Sequence, residues 1–308
     1  MIKFDYPEKR NNVLLIGVGS LGTAIVDNLS EMQLKDVDFA LIDRDSRLLC
    51  DRKLDNKYIL SPYDIEKPNG DEVDKLIQNI SPNQHHIYFI VADICNNYAT
   101  AATLRLAEHI SDYMKDNCYY AIFPILVKPI GFGNCEERGD IGMADIRSVS
   151  TNVFFINSDR MLRHEDLTIS DAYHDIDMQV RNIVSSFTSE GFFGPNVYID
   201  FADILTILDN GEQAKLLQTY AEGEKRDEEA IGKLLGAIRE NGIEPSGLKE
   251  LIFTVTYHEE NQLTMDELYN IIDPLRNSIH PESSILWGAV VDNSIEPNSL
   301  IIKAILVL

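Results

Sequence analysis

The chain has 308 residues, of which 44% are hydrophobic and 25% are charged, so it can build a buried core in one large domain or two of ordinary size. Acidic residues outnumber basic residues by 50 to 27, and the net charge of −23 repels nucleic acid and anionic lipid. Neither is therefore expected as a main partner. No apolar run approaches the ~20 residues that span a bilayer, so direct membrane insertion is not expected either.

The cysteines indicate the cellular compartment. The four of them lack the paired spacing of a metal site, so no bound metal is expected. Few cysteines, together with an amino terminus that lacks the apolar core of a signal peptide, predict a protein of the reducing cytoplasm. Cys95 and Cys118 lie in or beside apolar runs, and both are predicted to be buried thiols.

The first strand runs into a glycine-rich turn. Residues 13–24 read Val-Leu-Leu-Ile-Gly-Val-Gly-Ser-Leu-Gly-Thr-Ala, which is an apolar strand, a G-x-G-x-x-G turn and the start of an amphipathic helix. Without a Cβ, Gly17 and Gly19 let backbone N–H groups approach a phosphate, and the helix N-terminus adds unpaired donors and a positive dipole end. The pattern predicts phosphate contacts at Gly17, Gly19, Ser20 and Gly22. A turn that only packs the helix against the strand is the alternative.

The remainder of the first half alternates strand and helix. Apolar runs predict strands at 12–17, 37–43, 86–91, 119–127 and 152–157. The segments between them predict helices at 23–32, 71–80, 98–115 and 142–149. This alternation is typical of an α/β protein with a doubly wound parallel sheet, in which ligands bind beyond the carboxyl ends of the strands.

A long amphipathic helix then separates two predicted domains. Its apolar positions recur every three or four residues from 168 to about 190. The following segments predict a short apolar stretch at 197–201, a helix at 202–208, an exposed charged loop and helix over 216–239, and a strand, helix, strand and strand at 248–258, 264–278, 284–292 and 299–308. The expected division is a nucleotide-binding-type domain over 1–168, a connecting helix over 169–195 and a smaller α+β domain over 196–308.

Several segments along nearly the whole chain resemble the tubulin/FtsZ superfamily. The glycine turn resembles the family's first phosphate loop, and residues 170–173 (Ser-Asp-Ala-Tyr) resemble the opening of its central helix. Residues 198–204 (Tyr-Ile-Asp-Phe-Ala-Asp-Ile) match best, because they resemble the family's Asn-Leu-Asp-Phe-Ala-Asp-Val catalytic loop. Residues 251–256 and 284–292 are similar to strands of the family's second domain. The resemblance implies a Rossmann-like sheet joined by a long central helix to a smaller α+β domain.

One motif of the family is replaced in this chain. Where family members carry Gly-Gly-Gly-Thr-Gly-Thr-Gly, residues 95–101 read Cys-Asn-Asn-Tyr-Ala-Thr-Ala. Glycine amides wrap phosphates in conformations that other residues avoid, so a closed or reshaped pocket is expected. Asn96, Asn97 and Thr100 are the residues still able to donate to a phosphate, and Tyr98 is the bulkiest side chain introduced.

The resemblance also implies where a base and a ribose would lie. Tyr173 stands where the family phenylalanine stacks on guanine, and Asp177 stands where an asparagine reads the base edge. Asp45 matches the acidic residue of the family's Asn-Thr-Asp segment. Gly133 replaces a glutamate that contacts the ribose, and Arg138 is not a secure equivalent of the family arginine. Ordinary helix packing is the alternative for Tyr173, and a solvated strand end is the alternative for Asp45.

The resemblance implies a catalytic site shared between two subunits. Asp200 and Asp203 match the acidic positions with which one family subunit polarises a water for attack on the γ-phosphate held by its neighbour. The alternative is that both carboxylates only open the helix that follows, since aspartate is favoured near a helix N-terminus.

Two functions from different classes remain open. The first is a divergent FtsZ/tubulin-like protein that acts as a filament-forming or partner-binding cytoskeletal-type scaffold, with weak or lost GTP binding and hydrolysis. Its partner would be itself or another FtsZ-like subunit in longitudinal contact, its ligand would be GTP or GDP, and it would be a GTPase only if the altered loop still binds GTP. The second is a Rossmann-type enzyme, either a ThiF-like adenylating enzyme or an NAD-dependent oxidoreductase, in which Asp43, about 20 positions after the glycines, would bind the ribose.

Overall fold

The computed structural model describes residues 13–32, 34–66, 71–80, 85–114, 120–130, 144–158, 168–188, 191–192, 197, 199–211 and 213–308. The strands in this part of the chain form one mixed sheet. They are β1 (Val13–Val18), β2 (Val37–Asp43), β3 (Lys57–Ile59), β4 (Ile87–Asp93), β5 (Ala121–Lys128), β6 (Phe154–Asn157), β7 (Ala214–Glu222), β8 (Glu250–Tyr257), β9 (Ser284–Val291) and β10 (Ser299–Val307).

Helices pack on this sheet. They are α1 (Gly19–Ser30), α2 (Ser46–Cys50), α3 (Pro62–Glu66), α4 (Asp71–Asn79), α5 (Asn97–Met114), α6 (Ile169–Ser186), α7 (Phe201–Asp209), α8 (Arg226–Glu240) and α9 (Met265–Ser278). A further helical turn spans 144–147. The predicted α/β class and the long central helix are confirmed, and the five strands predicted in the first half lie within two residues of the observed bounds.

The strand order places a crevice beside the glycine turn. The order is β3-β2-β1-β4-β5-β6-β7-β10-β8-β9, and the strands from β3 to β7 pair in parallel, whereas β10 is antiparallel to both of its neighbours. The winding reverses at β1, because β2 lies on one side of it and β4 on the other. Ligands of doubly wound sheets bind at such a switch point, beyond the carboxyl ends of the strands. The glycine turn follows β1, and the loop of residues 95–101, the altered loop below, follows β4. Both therefore meet at this crevice.

The two faces of β1 enter different halves of the core. Val13 and Leu15 pack with residues of α1 and α6, whereas Leu14 and Ile16 pack with residues of α4 and α5. Successive side chains of a strand point to opposite faces, so an entirely apolar strand is what a sheet covered on both sides requires.

The prediction of an exposed loop over the first part of 216–239 is wrong. Residues 214–222 form β7, which lies between β6 and β10, and only the later part of the segment is the charged helix α8. The strand alternates along its second half, where Thr219 and Ala221 are buried and Tyr220 and Glu222 are exposed. Its partner β10 lies about eighty residues further along the chain, so nothing local indicated the pairing.

An aromatic cluster attaches the central helix to the sheet. Phe187 directly follows α6, and its ring centroid lies 4.9 Å from that of Phe123 on β5, 5.5 Å from Phe89 on β4 and 6.2 Å from Phe154 on β6. The Phe192 ring packs edge-on against Phe187 from the other side at 5.6 Å. Such ring pairs contribute beyond the area they bury. The end of α6 is therefore held against three neighbouring strands.

Replacing Phe187 by alanine would leave a cavity between α6 and the sheet. We expect Phe187→Ala to lower the free energy of unfolding by about 3–5 kcal/mol, as measured by chemical denaturation. Ile169→Ala is the matched control, since Ile169 starts the same helix but is 76% exposed, and its effect should stay within about 0.5 kcal/mol. Equal losses in the two variants would contradict this role for Phe187.

Candidate functional site

The glycines of the turn are required by packing. A Cβ on Gly17 would overlap the carbonyl oxygen of Gly22, and a Cβ on Gly22 would overlap the carbonyl oxygen of Val91 on β4. Gly19 has a φ of +73°, a backbone conformation that side chains disfavour. These constraints hold β1, α1 and β4 close together whether or not a phosphate binds.

The altered loop lies directly against this turn. A Cβ on Gly19 would come within 3.0 Å of the Cβ of Ala99, in the first turn of α5. The small Ala99, and not Tyr98, is therefore the side chain that meets the glycine turn. Tyr98 is buried, its hydroxyl donates to the carbonyl of Leu60 at 2.8 Å, and burial raises the pKa of its phenol.

The loop satisfies its own amides with side chains. The Asn96 Oδ1 accepts from the backbone N–H groups of Tyr98 at 3.0 Å and Ala99 at 3.3 Å, in the manner of a helix N-cap. The Thr100 hydroxyl donates to the carbonyl of Asn96 at 3.1 Å, so it is turned toward its own backbone. Asn97 is exposed at the start of α5. Two of the amides that a helix N-terminus offers to a phosphate are thus already bonded.

Cys95 precedes this cap and differs from expectation. The prediction of a buried thiol is wrong, because Cys95 is half-buried and disulfide-bonded. Its backbone N–H donates to the Asp93 carboxylate at 2.7 Å. The prediction for Cys118 lies outside the described residues. Contacts of Cys95 and of Asn96 therefore fix the loop directly before α5 begins.

The acidic residues after β2 are engaged within their own segment. Asp45 caps α2 by accepting from the Arg47 backbone N–H at 2.9 Å, and the Arg47 guanidinium binds the same carboxylate at 2.8 and 3.0 Å. These hydrogen bonds lower the pKa of Asp45 to about 2. Asp43 is buried and accepts from the Asp45 N–H at 2.8 Å. Neither carboxylate has a geometry that singles it out for a ribose.

The predicted base-binding residues lie on α6, where Asp177 contacts Asn28 of α1. Asp177 on α6 accepts from the Asn28 side chain at 2.9 Å, and burial raises the pKa of its carboxyl. Tyr173, one turn earlier on α6, is 41% exposed. Asn28 is nine residues from Gly19, which is about 14 Å along a helix and a span that an extended nucleotide bridges. The glycine turn and the hydrogen bond from Asn28 to Asp177 therefore lie about 14 Å apart along α1.

The predicted catalytic carboxylates lie at the other end of α6. Asp200 is exposed and caps α7 by accepting from the Ala202 N–H at 2.8 Å, and Asp203 is exposed in the first turn of that helix. The Ile199 N–H donates to the carbonyl of Phe192, which packs on Phe187. From Tyr173 to Phe187 the helical rise amounts to about 21 Å. One chain therefore does not bring its carboxylates to its own Tyr173.

Other predicted residues and properties need only brief comment. Tyr198, Gly133 and Arg138 lie outside the described residues. Within the described ranges, no group of three or more histidine, cysteine or acidic side chains is arranged to hold a metal ion. Over the same ranges, none of the helices combines the length and apolar character needed to traverse a bilayer.

The fit of the crevice to a nucleotide phosphate is mixed. In favour of binding, Gly19 has a positive φ and no side chain, and the Nε of Arg52 beside the turn is buried without a hydrogen-bond partner; Gly19 itself, however, is buried. The Asn96 cap acts against binding, because its amides are already satisfied. Ser20 is exposed in the turn, and its carbonyl accepts from Thr23 at 3.1 Å. A phosphate would therefore be held by fewer backbone donors than a glycine loop supplies.

The chain is similar in sequence and in fold to FtsZ and CetZ proteins. No protein-family model matches the chain. It is 22% identical to the cell division protein FtsZ of Aquifex aeolicus over 91% of this chain and 78% of that protein, and 21% identical to FtsZ 1 of Archaeoglobus fulgidus over 94% and 80%. Among solved structures it is similar to an empty FtsZ dimer of M. jannaschii, with a TM-score of 0.77, 18% identity and coverage of 97% and 88%. It is also similar to a GTPγS-bound protofilament of CetZ2 from Haloferax volcanii, with a TM-score of 0.70, 12% identity and coverage of 96% and 92%.

The class of protein follows from the sheet, the central helix and these similarities. The chain has the fold of the tubulin/FtsZ superfamily, and its sequence is similar to FtsZ proteins over more than nine tenths of its length. Its relatives are cytoskeletal proteins of the FtsZ and CetZ kind. A ThiF-like or NAD-dependent enzyme is not favoured, because the similarity to FtsZ extends over more than nine tenths of the chain, including its second half.

A side chain at Gly22 should destabilise the folded chain itself, and not only weaken the binding of a ligand. Gly22→Ala places a Cβ on the Val91 backbone oxygen, which no rotamer change relieves, so we expect a loss of about 1–3 kcal/mol in the free energy of unfolding, measured without nucleotide. Gly232→Ala is the control, because Gly232 lies in the interior of α8 with open space around it. Alanine there should raise the free energy of unfolding by up to about 1 kcal/mol. Wild-type stability of Gly22→Ala would contradict the packing argument.

Burial of Asp177 should make its replacement stabilising in a pH-dependent way. Its pKa is raised in the folded chain, so the folded state binds a proton more tightly than the unfolded one, and stability falls as pH rises from the unfolded value of ~3.9 through the folded pKa. We expect Asp177→Asn to melt at a higher temperature than wild type at pH 7, and the difference to shrink as pH is lowered toward 4. Asp175→Asn, an exposed change of equal charge on the same helix, should show no such pH dependence. A pH-independent gain for Asp177→Asn would show that burial is not its cause.

Proposed function

We propose that this protein is a cytoskeletal-type scaffold that associates longitudinally with itself or with another FtsZ-like subunit, and whose GTP binding and hydrolysis are weak or lost. The observation that carries the proposal is the Asn96 cap on α5. A phosphate at the crevice would have to displace the Asn96 side chain from the Tyr98 and Ala99 amides before it received those donors. GTP or GDP is the expected ligand, held loosely.

The separation of the candidate residues supports self-association. Tyr173 and Asp177 lie near the start of α6, and Asp200 and Asp203 lie beyond its far end and are exposed. If the two groups act together, they do so between two subunits stacked along the axis of α6. A dimer of FtsZ and a protofilament of CetZ2 are among the structurally similar proteins, which supports longitudinal stacking as the mode of contact.

The exposed carboxylates allow a test that leaves the helix cap intact. Asn caps a helix about as well as Asp, so Asp200→Asn removes the charge and keeps the hydrogen bond to Ala202. We expect Asp200→Asn and Asp203→Asn each to reduce assembly several-fold, measured by light scattering and electron microscopy with GTP, with GDP and without nucleotide. Phosphate release recorded in the same samples should stay slow in wild type.

The matched control is Asp209→Asn, the same charge change at the opposite end of α7, which should assemble as wild type does. Unchanged assembly in both Asp200→Asn and Asp203→Asn, or an equal loss in Asp209→Asn, would contradict the proposed contact. Absence of assembly by wild type in every condition would contradict the scaffold, and rapid GTP turnover would contradict the weakened site.

A further inference from the structure

Two arginines near the crevice form no ion pair with a carboxylate in the described part of the chain: Arg52 contacts the glycine turn, and Arg44 lies over the ring of Tyr98. The Arg52 Nη2 donates to the carbonyl of Ser20 at 3.1 Å, while its Nε is buried and has no hydrogen-bond partner. The Arg44 guanidinium carbon lies 5.4 Å from the centre of the Tyr98 ring, over its face. A buried donor left unpaired is costly, and more so on a charged group, so Arg52 is set up for an acceptor that the described residues do not supply.

The nearby carboxylates are occupied by other groups. Asp45 is bound by Arg47, Asp43 accepts from the Asp45 amide, and Asp27 accepts from the backbone N–H groups of Lys53 and Leu54. Glu31 is likewise bound by the Lys53 ammonium at 2.6 Å. In a chain of net charge −23, two arginines are thus left over at the crevice although acidic residues surround them.

A continuous set of contacts brings both arginines to the turn. Arg52 touches Ser20, the residue after Gly19, and Gly19 lies against Ala99. The residue before Ala99 is Tyr98, and the Arg44 guanidinium lies over its ring. The two guanidinium groups therefore flank the crevice at the carboxyl ends of β1 and β4, where the altered loop offers few backbone donors.

We infer that Arg44 and Arg52 form a side-chain clamp for the phosphate groups of a nucleoside di- or triphosphate, in place of the backbone cradle that the altered loop lacks. The inference rests on the proposed function for the location of the nucleotide. Guanidinium groups suit this task, because their planar fork matches two phosphate oxygens and keeps its charge at any physiological pH. Arg52 would direct its free Nε to a phosphate at the turn, and Arg44 would close over it from the Tyr98 ring. Binding then persists without the glycine loop.

The clamp is tested by calorimetric titration of the full chain with tripolyphosphate, GDP and GTP at fixed salt. We expect wild type to bind tripolyphosphate and GDP, and Arg44→Gln and Arg52→Gln each to weaken both by about tenfold. Arg52→Lys keeps the charge but not the fork, so it should recover only part of the loss. The matched control is Arg47→Gln, which removes the same charge from an exposed arginine already paired with Asp45 and should change affinity less than about threefold.

Several results would overturn the clamp. They are unchanged affinity in Arg44→Gln and Arg52→Gln, an equal loss in Arg47→Gln, and failure of wild type to bind either probe. Thermal unfolding is recorded for each variant, and Arg44→Gln keeps the test open if Arg52→Gln unfolds through loss of its bond to Ser20. The outcome is separable from the proposed scaffold. Assembly without polyphosphate binding overturns the clamp alone, and polyphosphate binding without assembly overturns the scaffold alone.

Discussion

The carbonyl oxygen of Val91 occupies the space that a side chain on Gly22 would need, and the rest of the crevice depends on that contact. It brings α1 against β4, and the matching approach of Gly17 to Gly22 closes the turn between β1 and α1. The strand reversal at β1 then lies beside a helix N-terminus, and α5 packs against the turn through Ala99. The positions of Gly17, Gly19 and Gly22, where a Cβ is not accommodated, therefore fix the shape of the crevice whether or not a ligand binds.

This constraint separates two features that a glycine motif usually combines. The turn after β1 has glycines that packing requires, whereas the loop of residues 95–101 after β4 contains no glycine and bonds two of its amides to Asn96. The glycine turn does not depend on the loop after β4, because Val91, whose carbonyl contacts Gly22, belongs to β4 and not to that loop. A G-x-G-x-x-G turn is therefore weak evidence for phosphate binding by itself, and the charges around it carry more information.

The central helix sets the geometry of the remaining candidate residues. The Phe187 cluster attaches its carboxyl end to β4, β5 and β6, and the Asp177–Asn28 hydrogen bond attaches its amino-terminal half to α1. Because α6 is held at both ends, Tyr173 and Asp200 stay far apart within one chain. A site that used both would therefore have to be assembled from two chains.

Local patterns in the sequence determined most of the first half of the fold. Apolar runs predicted β1, β2, β4, β5 and β6, and three- and four-residue periodicity predicted the central helix, since these signals depend only on neighbouring residues. Residue types also indicated that the loop after β4 had changed. Tertiary structure alone decided the remaining features. The strand β7 depends on pairing with β10, the Tyr98 hydroxyl bonds to the carbonyl of Leu60 thirty-eight residues away, and Arg52 reaches Ser20 from thirty-two residues away. Contacts between distant segments have no periodicity to read, so only the folded chain shows which side chains meet.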